Sequence, residues 1–219
     1  MQVVETFGHY VEEFSNQNPA KGRWLLKTGW EAQDLKFRLF PDKRLLPADQ
    51  YLAHMMMQAM LAPLKHPEDS VIVSIFTPCE LMAEAGLHPY NVEGFSCYLN
   101  GSHAERAFLQ HSENQGISET LCSYHKTFLG AARKGLLPKP RCIVYTNLTC
   151  DANLLTFRAL ADFYQIPLFF IDVPMQQSEA DVSYVAGQLK DLARFLETTT
   201  GKTIDESALK ARLSLSRKT

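Results

Sequence analysis

Three short runs of β-branched and aromatic residues constrain the fold of this chain more than any other feature. They are VIVSIF at 71–76, CIVYT at 142–146 and PLFFIDV at 167–173, each bounded by turn residues and followed by a helical pattern. Such runs are typical of strands buried on both faces, and strands that alternate with helices pair in parallel. The sequence therefore predicts an α/β, Rossmann-like layered domain with a mainly parallel sheet flanked by helices.

Helical periodicity accounts for much of the remaining chain. Apolar residues recur at spacings of three and four in most segments between the runs. The predicted helices are 3–14, 51–64, 78–85 with Thr77 as N-cap, 102–111, 118–134, 151–164, 179–196 and 204–215. The segment 24–40 is compatible with helix or loop, and the methionines at 55–57 and 60 are expected to fill a core. We place 1–200 in one N-terminal α/β domain and 201–219 in the start of a connecting helix, with a second domain absent.

Charge and hydropathy exclude several classes of partner. The formal net charge is -2, so there is no excess positive field to attract nucleic acid. The chain has neither a signal-peptide pattern nor a run of about 18 apolar residues that would span a membrane. The five cysteines are an odd number, which favours free thiols in a reducing compartment. We therefore expect a cytoplasmic protein with no nucleic-acid or membrane partner.

Three of the cysteines occupy similar positions relative to the predicted elements. Cys79 and Cys150 each follow a predicted strand, and Cys122 lies near the start of a predicted helix. In open α/β sheets the ligand crevice lies at the carboxyl ends of the strands, where helix N-termini favour thiolate, the form that binds metal. No C-x-x-C pair is present, so the fold would have to assemble such a site. Cys142, inside a strand, is expected to pack, and Cys97 is a reserve candidate.

The residues around these cysteines admit two interpretations. Lys126 lies one helical turn after Cys122, where its ammonium would compensate the negative charge of a cluster or would simply be solvated. His125 and His103 are candidate acid–base groups without a partner that the sequence identifies. The motifs G-x-S-x-G, P-loop, G-x-G-x-x-G and H-E-x-x-H are missing, which leaves the hydrolase, NTPase, dinucleotide and zincin classes without support.

Four segments, in order, resemble a known family. They are FTPCELMAEAGLHPYNVEG, AERAF, ETLCSYHKTFLGAA and YTNLTCDANLLTFRALADFYQIPLFFIDVP, which together cover roughly residues 70 to 205. They are similar to the N-terminal half of the 2-hydroxyacyl-CoA dehydratase family, which includes benzoyl-CoA reductase subunits. The combination of C-S-x-x-K-x-x-L-G and T-C-D is the most specific part of the resemblance.

The resemblance implies an oxygen-sensitive lyase of anaerobic metabolism. Subunits of this family have two α/β domains, form homo- or heterodimers and hold a 4Fe-4S cluster through three cysteine thiolates. An ATP-dependent activator protein injects one electron, which reaches the thioester carbonyl of a 2-hydroxyacyl-CoA and forms a ketyl radical that expels the hydroxyl group. In such enzymes the cofactor does the difficult chemistry and the protein orients the acyl-CoA substrate.

Carried over residue by residue, the resemblance assigns Cys122 as the first cluster ligand and Cys150 as the second. The family's third ligand comes from the second domain. Cys79 stands where the family has glutamate in T-P-E-E-L, and it is the candidate third ligand within this chain. Two alternatives remain: a subunit of an aromatic acyl-CoA reductase or double-cubane-type reductase, and a truncated, non-catalytic scaffold subunit.

Overall fold

The computed structural model describes residues 2–217, so Lys218 and Thr219, the end of the predicted segment 201–219, lie outside the described residues. The helices are α1 (Gln2–Gln17), α2 (Pro19–Leu39), α3 (Pro47–Lys65), α4 (Glu80–Glu84), α5 (Val92–Gly101), α6 (Arg106–Asn114), α7 (Ser123–Arg133), α8 (Ala152–Tyr164), α9 (Glu179–Thr200) and α10 (Glu206–Ser216). The strands are β1 (Ser70–Val73), β2 (His88–Asn91), β3 (Cys142–Thr146) and β4 (Leu168–Ile171). Within residues 2–217, none of the helices combines the length and apolar character needed to span a bilayer.

The sheet confirms the predicted α/β architecture. Its strand order is β2-β1-β3-β4. β1 pairs in parallel with β3, with Val73 opposite Val144, and β3 pairs in parallel with β4, with Thr146 opposite Ile171. Every residue of β1 and β3 is buried, as expected for parallel strands that are covered on both faces.

Several elements differ from the sequence prediction. β2 and α5 were not predicted, because His88-Pro89 interrupts any apolar run and the Gly and Asn residues of α5 are typical of turns. In the ambiguous segment 24–40, residues 24–39 are helical and belong to α2, and Phe40 is its C-cap. α4 begins at Glu80 rather than directly after Thr77, whose hydroxyl is hydrogen-bonded to Ser74 instead of capping the helix.

The chain divides into two compact units. Unit one contains the residues up to Pro67 together with Tyr90–Lys139, and unit two contains Glu68–Pro89 together with the residues from Pro140 onward. The core of unit one is helical, and Trp30 of α2 packs edge-on against Phe95 of α5, with ring centroids 5.4 Å apart.

Two details of unit one follow from close packing. α7 approaches the backbone of α6 so closely that a Cβ on Gly130 would lie 1.9 Å from the carbonyl oxygen of Phe108. Only glycine allows this approach. Met57 and Met60 are buried, as predicted, whereas Met55 and Met56 are about half exposed. Half of the methionine prediction is therefore wrong, because the outer face of α3 is not covered within unit one.

The core of unit two lies between β1, β3 and β4 and the helices that cover them. Its buried members are Val71, Val73, Met82, Ala85, Leu87, Cys142, Val144, Ile171, Leu192 and Leu196. Cys142 is packed inside this core, as the sequence predicted, and burial raises the pKa of its thiol to about 12.

Candidate functional site

The carboxyl ends of β1 and β3 lie side by side in unit two, and a cysteine follows each. Cys79 is the residue directly before α4. Cys150 lies in the turn before α8, where its carbonyl accepts a hydrogen bond from the Asn153 backbone N–H at 3.1 Å. The fold therefore places the Cys79 and Cys150 loops at the same edge of the sheet, where ligands of open α/β sheets bind.

Both loops contain a non-glycine residue with left-handed backbone geometry. Phe76, after β1, has φ of 63°, and Thr149, after β3, has φ of 74°. Such geometry costs of order 1 kcal/mol or more at a non-glycine residue and persists only where the surroundings impose it. Strained loops of this kind concentrate at ligand-binding edges.

A hydrogen-bond network holds the ends of β1 and β3 together. The Ser74 hydroxyl lies 2.9 Å from the hydroxyl of Thr77 and accepts a hydrogen bond from the backbone N–H of Thr146 at 3.0 Å. All three residues are buried. The network fixes the start of the segment that leads to Cys79.

Asn147 joins the ends of β3 and β4 in the same way. Its Nδ2 donates to Oδ1 of Asp172 at 2.7 Å, and its Oδ1 accepts from the backbone N–H of Val173 at 2.8 Å. Oδ2 of Asp172 also accepts a hydrogen bond from the Tyr184 hydroxyl at 3.1 Å, which raises the pKa of Tyr184. Sequence reasoning did not identify Asn147 and Asp172, although both are polar residues at the end of a predicted strand.

The environment of Cys79 opposes its ionisation. Its Sγ donates a hydrogen bond to the Thr77 carbonyl at 3.2 Å. Burial, reinforced by the nearby charge of Glu80, raises the pKa of the Cys79 thiol to about 11. Burial of Cys79 therefore opposes the thiolate form that the N-terminus of α4, a helix of five residues, would favour.

α10 packs beside this segment. Cys79 and Glu80 line a cavity of about 330 Å³ together with residues of α10. Oε1 of Glu80 accepts a hydrogen bond from the Ser216 hydroxyl at 2.8 Å, and Arg212 donates to Glu84 at 2.8 Å. Cys79 thus shares the wall of this cavity with α10.

Cys122 lies in unit one, at the N-cap of α7, and is exposed. Cys97 on α5 is also exposed. A hydrogen bond with the Cys97 thiol, followed by the proximity of Cys97 and Cys122, raises the pKa of the Tyr124 phenol. Within unit one, the sulfur atoms of Cys97 and Cys122 therefore both lie near Tyr124.

The two interpretations of Lys126 are decided by its contacts. Its side chain is buried, and its Nζ lies 2.6 Å from Oε1 of Glu113 and donates to the Glu119 carbonyl at 2.8 Å. The ammonium is therefore not solvated, and Glu113 already supplies its counter-charge. His125 is also buried, which lowers the pKa of its imidazole, and its ring packs against Phe128 at a centroid distance of 5.0 Å.

The thiols of this chain are the right kind of ligand for an iron–sulfur cluster. The described residues, however, bring too few ligands together. Cys122 and Cys150 are thiols next to helix starts, and thiolates are the ligands that such clusters use. Within residues 2–217, however, no three His, Cys, Asp or Glu side chains are grouped so as to hold a metal ion. The described residues do not by themselves form a three-thiolate site.

Comparison with known proteins gives the family. The sequence family described as 2-hydroxyglutaryl-CoA dehydratase, D-component, matches residues 74–219. The chain is 26% identical over 116 residues to the (R)-phenyllactyl-CoA dehydratase alpha subunit of Clostridium sporogenes, which is 49% of this chain and 28% of the relative. It is 33% identical over 78 residues to the (R)-2-hydroxyglutaryl-CoA dehydratase subunit alpha of Acidaminococcus fermentans, which is 34% of this chain and 16% of the relative.

These matches confirm the resemblance to the dehydratase family. Each match spans less than a third of the relative's length. The family match covers most of this chain and includes the loops after β1 and β3. The chain therefore belongs to the 2-hydroxyglutaryl-CoA dehydratase D-component family.

Proposed function

We propose that this chain forms part of a 2-hydroxyacyl-CoA dehydratase, a lyase that converts a 2-hydroxyacyl-CoA to an enoyl-CoA by removing water. The observation that carries the proposal is the family match over residues 74–219, which contains Cys79, Cys122 and Cys150. The two relatives are named as dehydratases of (R)-phenyllactyl-CoA and (R)-2-hydroxyglutaryl-CoA. A 2-hydroxyacyl thioester is therefore the substrate class to test.

Cys122 and Cys150 are the residues that we expect to ligate a 4Fe-4S cluster. Both are free thiols, Cys122 exposed and Cys150 half-buried, so neither must leave a packed core to reach iron. A bound cluster would supply one-electron transfer to the thioester. Cys79 would serve as third ligand only after losing its proton and its hydrogen bond to the Thr77 carbonyl, a change that metal binding can drive.

Three partners belong to this proposal: an acyl-CoA substrate, a second dehydratase subunit and an ATP-dependent activator protein. Support for a second subunit comes from the relatives, both of which are named as alpha subunits. The second subunit or a further domain would provide the ligand that residues 2–217 do not assemble. The odd number of free thiols favours the reducing cytoplasm as the compartment.

The test is iron and acid-labile sulfide per chain after anaerobic reconstitution, with and without a dehydratase partner subunit. We expect a cluster in the wild type that is lost in Cys122→Ser and in Cys150→Ser. Cys97→Ser is the matched control, because Cys97 is also an exposed thiol. Loss in Cys79→Ser would identify Cys79 as the third ligand, and retention would assign that ligand to the partner.

The proposal fails if Cys122→Ser and Cys150→Ser keep the iron of the wild type, or if the wild type binds none in either condition. The second result would favour a non-catalytic scaffold subunit. With iron bound, the reconstituted protein is assayed with its partner and an activator ATPase on (R)-phenyllactyl-CoA and (R)-2-hydroxyglutaryl-CoA. Enoyl-CoA formation from either thioester supports the dehydratase.

A further inference from the structure

Unit one contains a cavity of about 670 Å³ that the proposed dehydratase function does not use. It lies between the end of α2, the loop that follows and the start of α3. All of its lining residues precede residue 74, where the family match begins. The volume is within the range of sites that hold small organic molecules.

A buried carboxylate–histidine pair lies at one wall of this cavity. Nδ1 of His54 is 2.6 Å from Oδ1 of Asp34, and Oδ2 of Asp34 accepts a hydrogen bond from Gln58 at 2.8 Å. The Asp34 side chain is only 6% exposed, whereas 27% of the His54 side chain is exposed. His54 lines the cavity and Asp34 lies behind it.

This pair fixes the imidazole of His54 in one orientation. When Nδ1–H donates to the carboxylate, the other ring nitrogen, Nε2, carries a lone pair or, in the protonated ring, a second N–H. Among the described residues, none is hydrogen-bonded to Nε2. Carboxylates fix the tautomer and orientation of functional histidines in the same way. Apolar residues would join α2 to α3 without the desolvation of Asp34.

Two cations of the cavity have no internal counter-charge. Within residues 2–217, neither Arg38 nor Lys43 forms an ion pair. Asp42, the acidic residue of the lining, is already bound by Arg44, whose Nη2 lies 2.6 Å from Oδ2 of Asp42. The cavity therefore presents net positive charge to a ligand.

The remaining wall is apolar and aromatic. Phe37, Leu45 and Tyr51 all line the cavity and all are exposed. Aromatic and aliphatic walls with a few convergent polar groups are typical of sites for organic ligands. Inorganic anions alone would leave this part of the cavity in contact with water.

We propose that this cavity binds a small organic anion that combines a phosphate or carboxylate head group with an apolar or aromatic body. Arg38 and Lys43 bind the head group, and Nε2 of His54 hydrogen-bonds the ligand. Phe37, Leu45 and Tyr51 contact its body. Asp34 is a positioning residue, since it acts through His54. The site is independent of the iron–sulfur proposal, because it contains no residue of the matched segment.

The test is calorimetric titration of the full chain with phenyl phosphate and phenylacetate, which separate the two head groups. We expect at least one of them to bind with Kd of about 1 mM or lower. Inorganic phosphate and phenol, each lacking one half of the ligand, should bind at least about tenfold more weakly. The double variant Arg38→Gln, Lys43→Gln and the variant His54→Gln should each weaken binding about tenfold.

Lys21→Gln combined with Lys36→Gln is the matched control. These lysines are exposed on α2 and do not line the cavity, and their replacement changes the net charge by the same amount. Thermal unfolding establishes that each variant is folded, and the His54 ring nitrogen signals of the wild type should shift on titration with the probe. The proposal is overturned if neither probe binds, if the control weakens binding as much as the cavity variants, or if the His54 signals do not move.

Discussion

Nζ of Lys126 lies 2.6 Å from Oε1 of Glu113, and the two side chains differ in their access to water. Only 7% of the Lys126 side chain is exposed, compared with 26% of the Glu113 side chain. The pair connects α6 to α7 within unit one. Without its partner the Lys126 ammonium would stay in a dry environment, whereas an unpaired Glu113 carboxylate would reach water.

This asymmetry predicts unequal effects of the two deletions. We expect Glu113→Gln to lower the free energy of unfolding by about 2 kcal/mol, because it leaves a buried ammonium without a counter-charge. Lys126→Met, which replaces the charge by an apolar side chain of similar length, should cost about 1 kcal/mol or less. Urea denaturation of both variants measures the difference. A greater loss in Lys126→Met than in Glu113→Gln would contradict this account.

The cysteines should differ widely in their rates of alkylation. Cys97 and Cys122 are exposed, whereas burial raises the pKa of Cys79 to about 11 and that of Cys142 to about 12. At pH 8 the thiolate fraction of Cys79 would be about one in a thousand. Iodoacetamide labelling followed by peptide mass spectrometry should therefore modify Cys97 and Cys122 first.

The control for this labelling is the same reaction in concentrated urea, where all the thiols should be modified together. If Cys79 or Cys142 in the folded protein were labelled as fast as Cys122, that result would contradict the burial of the labelled cysteine. Protection of Cys122 in the anaerobically reconstituted protein would additionally support its role as a cluster ligand.

β1, β3 and β4 could be predicted, because their apolar, β-branched and aromatic residues leave little choice of structure. CIVYT forms β3 over the same residues that the sequence predicted, Cys142–Thr146. α2 was ambiguous because its last turns expose Leu35, Phe37 and Leu39, so its apolar residues do not follow one helical face. That exposed segment includes part of the wall of the unit-one cavity.

The sequence predicted only those parts of the candidate site that depend on where a residue lies relative to a strand. Cys79 and Cys150 follow paired parallel strands, so their common edge follows from the topology. The counter-charge of Lys126 and the partner of His54 lie 13 and 20 residues away in sequence. The packing of helices decides these contacts, and no local pattern encodes them.

The Cys142 thiol should make stability depend on pH in the alkaline range. Its pKa rises from 9.0 in the unfolded chain to about 12 in the fold. The stabilisation is therefore complete below pH 9 and is lost as the pH rises toward 12, with a slope of about 1.4 kcal/mol per pH unit for this group. Urea unfolding between pH 8.5 and about 10.5 measures the slope.

Cys142→Ala is the variant that isolates this contribution. It should be less stable than the wild type at pH 8, because it leaves a small cavity in the core of unit two. Its free energy of unfolding should nevertheless fall less steeply with pH, since lysines and tyrosines titrate in both proteins and cancel in the difference. Equal slopes in the two proteins would mean that Cys142 does not remain protonated in the fold.

Asn147 should be required for order at the carboxyl ends of β3 and β4. Asn147→Ala removes the acceptor of the Val173 backbone N–H and the donor to Asp172. Because partly buried groups then lack partners, we expect a loss of about 1–3 kcal/mol in the free energy of unfolding. Amide hydrogen exchange at Val173 should accelerate about tenfold, and exchange in the segment leading to Cys150 should also increase.

Gln177→Ala is the matched control, since Gln177 is an exposed amide side chain of the same unit. It should leave both the unfolding free energy and the exchange at Val173 within error of the wild type. If Asn147→Ala also leaves Val173 protected, the bridge does not hold the two strand ends. If protection falls at Val173 alone and the segment up to Cys150 is unchanged, Asn147 stabilises β4 but does not position the Cys150 loop.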